Sequence, residues 1–90
     1  IRMFPASGEI NRRVSDAKKT LAEVLEKYGP MAKGIDHTDG VSVEFDQWRF
    51  NLRSSNTEPL IRLNVESRGN EALMRDKTAE LLALVGGEPG

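Results

Sequence analysis

The first hydrophobic pattern along the chain has the spacing of an α-helix. Five hydrophobic residues recur every three or four positions and form one apolar stripe: Ala17, Leu21, Val24, Leu25 and Tyr28. This spacing predicts a helix from about Asp16 to Tyr28, because residues three and four positions apart share a helix face. Ser15 is the predicted N-cap, and Gly29-Pro30 is predicted to end the helix.

Strict alternation of hydrophobic and polar residues then predicts three strands. Val41 to Phe45 and Trp48 to Arg53 each place a hydrophobic residue at every second position of one face. Only Asp46-Gln47 separates these two segments, which favours a hairpin. The third strand runs from about Ile61 to Arg68. Its inward positions are Ile61, Leu63 and Val65, and its outward positions are Arg62, Asn64, Glu66 and Arg68.

Weaker signals complete the predicted order of elements. Glu9 to Val14 forms a short strand, and 31–40 forms a loop that ends in a turn. Asn70 is the predicted N-cap of a second helix that runs to about Val85. The buried stripe of this helix consists of Met74, Thr78, Leu81, Leu82 and Val85. Gly86-Gly87 ends it, and we expect the remaining tail to fray.

The order of these elements, β-α-β-β-β-α, predicts an α+β fold. A sheet with one apolar and one polar face must cover its apolar face, and two amphipathic helices are available to do so. We therefore expect a two-layer sandwich in which two helices cover one face of a four-stranded, mainly antiparallel sheet. Residues 1–8 are interpreted as an interdomain linker or hinge, 9–85 as the domain and 86–90 as a tail.

Composition and charge narrow the class of protein. Hydrophobic residues make up 38% of the 90 residues and charged residues 30%, with 13 Lys and Arg against 14 Asp and Glu. This balance is typical of a folded domain, and no apolar run approaches the ~20 residues of a membrane span. A basic excess, which is usual in nucleic-acid-binding proteins, is absent. The lack of cysteines fits a reducing cytoplasm, where we expect the protein.

The polar loop between the second and third hydrophobic strands, Arg53 to Pro59, is the segment that carries candidate chemistry. A guanidinium at a strand end presents a planar fork of donors that matches two oxygens of a phosphate. Arg62 lies on the same outward face if the strands pair, whereas Glu58 is suited to orienting an arginine or the loop backbone. Further candidate donors are the side chains of Ser55, Asn56 and Thr57. From composition alone, a plain surface turn is the more ordinary interpretation.

The run Arg-Ser-Ser-Asn-Thr-Glu-Pro at 53–59, followed by Leu-Ile-Arg, resembles the C-terminal phosphate-binding loop of the α-D-phosphohexomutase superfamily. The similarity extends over most of the chain, from Phe4-Pro5 through Asp39-Gly40-Val41 to the last strand and helix. The resemblance implies that Arg53, Ser55, Asn56 and Thr57 contact a substrate phosphate. The sequence Ser-Asn-Thr at 55–57 is similar to the phosphomannomutase/phosphoglucomutase branch, whereas phosphoglucosamine mutases tend to have Ser-Gly-Thr.

Members of this superfamily are enzymes of four domains that move a phosphoryl group between C1 and C6 of a hexose through a bisphosphorylated sugar. The resemblance therefore implies Mg²⁺ as cofactor and glucose 1,6-bisphosphate as activator or intermediate. The phosphoserine, magnesium and sugar-binding loops of the family have no counterpart in this sequence. We therefore expect a fourth domain alone, without catalytic or metal-binding residues, inactive in isolation, whose partners are a phosphorylated hexose and the other three domains.

A second class of function competes with this interpretation. A four-stranded sheet backed by two helices is also the plan of an RNA-recognition module, although its order of elements differs. The predicted outward sheet positions are Arg, Asn, Ser and Glu rather than the aromatic residues on which bases stack. We therefore expect neither a nucleic-acid partner nor a membrane partner.

Overall fold

The computed structural model describes residues 6–37, 40–55 and 58–89. These residues form two α-helices and six β-strands, with a single 3₁₀ turn at Gly29–Met31. In chain order the elements are β1 (Ile10–Arg13), α1 (Ala17–Tyr28), β2 (Gly34–Asp36), β3 (Val41–Glu44), β4 (Trp48–Ser54), β5 (Leu60–Ser67), α2 (Glu71–Val85) and β6 (Glu88–Pro89).

All six strands belong to one sheet with the order β2-β3-β4-β5-β1-β6, and every neighbouring pair is antiparallel. The predicted α+β class with two helices and an antiparallel sheet is confirmed, but the predicted number of four strands is wrong. The additional strands lie at the two edges: β2 pairs with β3, and β6 pairs with β1. Both are short, three and two residues, and short edge strands limit pairing with another chain.

The helix starts follow from side-chain capping. The carboxylate of Asp16 accepts a hydrogen bond from the backbone N–H of Lys19 at 3.1 Å, so Asp16, and not the predicted Ser15, caps α1. The side-chain oxygen of Asn70 accepts from the N–H of Leu73 at 2.9 Å, which confirms the predicted cap of α2. Each cap satisfies a donor that the first helical turn leaves unpaired.

The core lies on the sheet face that α1 and α2 contact. α1 packs on β4 and α2 packs on β5. Alternate strand residues fill this inner face, and six of them are at most 2% exposed: Val43, Phe50, Leu52, Ile61, Leu63 and Val65. Trp48 belongs to the core, as predicted, and stacks on Phe45 with ring centroids 4.3 Å apart. The layered arrangement as a whole stays a prediction.

Both ends of the described chain lie against the sheet. Glu88–Pro89, expected to fray, pairs instead with Arg12 and Arg13 of β1. Ser7 donates its backbone N–H to the carbonyl of Val65 at 2.8 Å, and its hydroxyl accepts from the Val65 N–H at 2.9 Å. Residues 6–8 therefore follow the edge of β5 before β1 begins. Among the described residues, no helix has the length and apolarity required to cross a membrane.

Candidate anion-binding site

The outer face of the sheet, opposite the core, carries the predicted arginines. Arg53 of β4 and Arg62 of β5 are directly opposed in the strand register. Opposed residues of an antiparallel pair project from the same face, so the predicted co-facial placement of the two side chains is confirmed. Both residues are half-buried. Two cationic groups therefore share one position of the sheet, next to the loop that joins the strands.

Asn11 of β1 extends this position to a third strand, because it is paired with Arg62 on the side away from Arg53. We call these three residues, Asn11, Arg62 and Arg53, the arginine row. Arg62 Nε is buried and has no hydrogen-bond partner within the described part of the chain. Because an unsatisfied buried donor is costly, an acceptor at this point would stabilise the site. Asn11 Oδ1 is likewise buried without a partner there, but it is an acceptor and suits a donor.

Gly40 gives Arg53 the space that it occupies. A Cβ atom at Gly40 would lie 2.5 Å from Arg53 Cγ and 2.7 Å from the carbonyl oxygen of Leu52. Both distances are shorter than van der Waals contact, so the arginine stem rests against the bare backbone at the start of β3. Gly40 also has a φ of +70°, a conformation that other residues rarely adopt.

The loop beside the arginines is closed by its own backbone. The N–H of Ser55 donates to the carbonyl of Leu60 at 3.0 Å, and the N–H of Leu60 donates to the carbonyl of Glu58 at 2.8 Å. The Ser55 hydroxyl accepts from the N–H of Glu58 at 3.3 Å. Ser55 therefore shapes the turn, and Glu58 is exposed. The other two predicted phosphate contacts, Asn56 and Thr57, lie outside the described residues.

Farther along the strands, the outer face changes from cationic to neutral and then to mixed charge. The register places Asn64, Asn51 and Ser42 side by side on β5, β4 and β3, a set that we call the amide row. Beyond them lie Glu66, Arg49 and Glu44, which we call the acidic row. Within the acidic row, Arg49 Nε lies 3.5 Å from a carboxylate oxygen of Glu66. The arginine row is thus separated from the ion pair of Arg49 and Glu66 by a neutral row.

The amide row and Gly40 were not predicted from the sequence as parts of the site. The signal for the amide row was available, because Asn51 and Asn64 alternate with Arg53 and Arg62 along the same strands. A hollow of about 400 Å³ lies over this part of the sheet. Its lining residues are Ala6, Arg49, Phe50, Asn51, Arg53, Asn64, Val65 and Glu66. The hollow therefore adjoins the arginine row directly.

The described residues can be compared with the ligands that a magnesium ion requires. Within residues 6–37, 40–55 and 58–89, no group of three or more His, Asp or Glu side chains is placed to hold a metal ion. A hard cation such as Mg²⁺ is held by oxygen ligands, principally carboxylates, so the described residues do not fit it. The positive charge at the arginine row points instead to an anionic ligand.

Comparison with known proteins links this chain to one group of enzymes. Residues 9–83 match the family model for the phosphoglucomutase/phosphomannomutase C-terminal domain. The chain is 58% identical over 82 residues to a phosphomannomutase of Escherichia coli, an alignment that covers 91% of this chain and 18% of the relative. It is 55% identical over 87 residues to a protein named phosphohexose mutases from Xanthomonas campestris, covering 97% of this chain and 19% of the relative.

The solved structures give the same architecture. A phosphoglucomutase/phosphomannomutase family protein from Burkholderia thailandensis superimposes with a TM-score of 0.64 at 21% sequence identity. The superposition covers 97% of this chain and 19% of the other, so at this identity the similarity concerns the fold. The chain thus spans about a fifth of the length of the relatives that it matches, 18% and 19% in the curated ones.

Proposed function

The chain belongs to the phosphoglucomutase/phosphomannomutase C-terminal domain family, and from this membership we propose that its arginine row binds the phosphate group of a phosphorylated hexose. The observation that carries the proposal is the direct opposition of Arg53 and Arg62 on the outer face. Two guanidinium groups at one sheet position concentrate positive charge there, and this charge attracts an anion. A phosphate dianion supplies both the charge and the acceptor oxygens that these groups require.

Each residue of the site has a separate task in this proposal. Arg53 provides a bidentate fork to the phosphate, and Arg62 adds charge and the unsatisfied Nε donor. Glu58 holds the loop through its backbone contact with Ser55. The remaining donors to the phosphate are the side chains or backbone N–H groups of Ser55, Asn56 and Thr57.

The whole enzyme is proposed to be a phosphomannomutase/phosphoglucomutase that interconverts hexose 1-phosphate and hexose 6-phosphate through a bisphosphorylated sugar. This domain then holds whichever phosphate is not reacting, so it contributes binding energy and positioning rather than proton or phosphoryl transfer. Mg²⁺ and the reacting serine belong to the other three domains, and the isolated domain is inactive. The linker 1–8 connects this domain to the others, and domain closure on the substrate takes place about the part of the linker that precedes the hydrogen bonds of Ser7 to Val65.

The nucleic-acid-binding alternative is not favoured. RNA-recognition sheets present aromatic side chains on their exposed face, where bases stack. Among the described residues, the aromatic side chains of the sheet belong to the core or pack against it: Phe45, Trp48 and Phe50. The corresponding outward positions of β4 are Arg49, Asn51 and Arg53, which offer polar and charged groups instead.

Steady-state kinetics of the full-length enzyme tests the proposed function. Arg53→Ala should lower kcat/KM. The corresponding loss of transition-state stabilisation should be about 1.5–3 kcal/mol, the range for a hydrogen bond to a charged group. The matched control is Arg75→Ala, because Arg75 lies on α2 with a side chain 73% exposed and pairs only with Glu71 in the described chain. A wild-type kcat/KM in the Arg53 variant would refute the proposal.

A further inference from the structure

The hollow over the amide row results from the lengths of the side chains around it. Asn51 and Asn64 are short, and each is flanked along its own strand by two longer side chains on the same face. These longer neighbours are Arg49 and Arg53 on β4, and Arg62 and Glu66 on β5. Residues two apart on a strand are separated by roughly 6.6 Å. The amide row therefore forms the floor of a depression. The arginine row bounds it at one end and the acidic row at the other.

The floor of this hollow carries groups that both donate and accept hydrogen bonds. Asn51 Nδ2 donates to the hydroxyl of Ser42 at 2.9 Å and to the carbonyl oxygen of Val41 at 3.5 Å, so both N–H groups of this amide are used within the sheet and its plane is fixed. Asn64, opposite Asn51 on β5, is exposed. Carboxamides match alcohols because a hydroxyl group is itself a donor and an acceptor. The amide row contains no cation that could bind a second anion. Its polar groups therefore suit a neutral ligand group that carries hydroxyls.

The far end of the hollow contributes no net charge to a ligand. Arg49 and Glu66 lie 3.5 Å apart across the strands and compensate each other. Ala6, which bridges to Glu66 along the edge of β5, forms part of the lining. A molecule that is anionic at one end and neutral at the other therefore matches the sequence of rows along the outer face.

We propose that Asn64, which lies beside the fixed amide of Asn51, forms a subsite for a hydroxyl group of the molecule whose phosphate the arginine row holds. The ligand class is a phosphomonoester of a polyhydroxylated compound, lying along β4 and β5 with its phosphate at Arg53. The distance from one row to the next, roughly 6.6 Å, is comparable to the span of a sugar ring. This inference rests on the proposed function, because it requires the phosphate to be anchored at the arginine row.

The test compares two phosphomonoesters on the ¹⁵N-labelled 90-residue chain by NMR titration. Glucose 1-phosphate and methyl phosphate have similar charge, but only the first carries hydroxyl groups. Both should shift Arg53, whereas only glucose 1-phosphate should shift the side-chain amide signals of Asn64. Glucose 1-phosphate should also bind about 3–10-fold more tightly, the effect of one or two neutral hydrogen bonds.

A variant separates hydrogen bonding from mere proximity. Asn64→Leu keeps the number of side-chain heavy atoms and the branching at Cγ, and it removes the donors and the acceptor at an exposed strand position. It should abolish the preference for glucose 1-phosphate while leaving the affinity for methyl phosphate unchanged. Asn64→Val, which also lacks donors and acceptors and has a higher strand propensity, provides a second variant if leucine causes association.

The outcomes distinguish this inference from the proposed function. Equal affinities for the two ligands, or an Asn64→Leu variant that keeps the full preference, would overturn the hydroxyl subsite while the phosphate site stands. If neither ligand shifts Arg53 in a saturable manner, the phosphate site itself fails, and the subsite fails with it. Selective loss of the preference in both Asn64 variants would support the inference.

Discussion

Arg53 and Arg62 are directly opposed on neighbouring strands, with both side chains on the face of the sheet away from the core. Like charges at directly opposed positions destabilise an antiparallel pair, and single cross-strand pair interactions are on the order of 0.2–1 kcal/mol. When a dianion is bound, the total electrostatic energy of the three groups becomes favourable, because each guanidinium is attracted to the ligand more strongly than it is repelled by its neighbour. The unliganded sheet is therefore less stable at this position than the liganded one.

Replacing one of the opposed arginines should change stability and binding in opposite directions. Arg62→Gln removes the repulsion, so the free energy of unfolding should rise by about 0.2–1 kcal/mol at low ionic strength. The binding of inorganic phosphate should weaken by about 1.5–3 kcal/mol of binding free energy, because a charged hydrogen-bond donor is lost. Urea unfolding with and without phosphate measures both effects.

The control for this substitution is Arg75→Gln, which removes the same charge from α2, far from the opposed pair in the sheet. It should leave phosphate binding unchanged and cost only the few tenths of a kcal/mol of its i,i+4 pair with Glu71. If Arg62→Gln lowered stability as the control does and bound phosphate normally, the electrostatic account of the arginine row would be wrong.

Gly40 should be required for the position of Arg53. Gly40→Ala places a methyl group 2.5 Å from Arg53 Cγ and 2.7 Å from the Leu52 carbonyl oxygen. We expect the free energy of unfolding to fall by about 2–4 kcal/mol, from the positive φ and the steric overlap together, and phosphate affinity to fall as Arg53 is displaced. Thermal unfolding and phosphate titration check the two effects.

Gly69→Ala is the matched control, because Gly69 has a φ of +67° and a Cβ there would meet nothing within 4 Å. This variant should lose about 1–2 kcal/mol of stability from backbone strain and retain wild-type phosphate affinity. Equal phosphate affinity in the Gly40 and Gly69 variants would show that the position of Arg53 does not require a glycine at residue 40.

The contact between the helices predicts an alkaline limit to stability. The Tyr28 hydroxyl donates to a carboxylate oxygen of Glu80 at 2.9 Å. Burial, reinforced by this hydrogen bond and by the charge of Glu80, raises the pKa of Tyr28 to about 12. In the unfolded chain the pKa of the Tyr28 phenol is about 10. The neutral phenol therefore contributes its full stabilisation of the fold below about pH 10, and this contribution is lost as the pH rises through about 12.

Tyr28→Phe isolates this effect. The variant should lose about 1 kcal/mol at neutral pH, because the hydrogen bond to a partly exposed carboxylate disappears. Its stability should then depend less on pH above 10, so that the wild-type advantage of about 1 kcal/mol disappears and the variant becomes the more stable protein by about 1 kcal/mol towards pH 12. Parallel pH profiles of the two proteins in urea unfolding would contradict the assigned pKa shift.

The central strands could be predicted from the sequence because burial of one sheet face requires hydrophobic residues at every second position. Phe50 and Leu52 alternate with polar residues on β4, as do Leu63 and Val65 on β5, since only one face of the sheet meets the helices. The edge strands show no such pattern. All three residues of Gly34–Asp36 are exposed, and Glu88–Pro89 contains a proline, which is compatible with an edge but gives no strand signal.

The candidate site was predictable where it depends on alternation and unpredictable where it depends on register. Alternation alone places Arg53 and Arg62 on the outer face, but their direct opposition requires the pairing of β4 with β5. The same applies to Asn11, which reaches Arg62 only because β1 returns to the far side of β5. Ser15 and Asp16 are both good caps, and the choice between them depends on which side chain reaches the N–H of Lys19.

The most direct test is an NMR titration of the 90-residue chain with inorganic phosphate at constant ionic strength. The account predicts saturable shifts confined to Arg53, Arg62 and the loop 55–57, and their loss in Arg53→Gln. Constant ionic strength matters because nonspecific anion binding is screened by salt. The absence of saturable shifts at these residues, or an identical response in Arg53→Gln, would contradict the claim that the arginine row is a phosphate site.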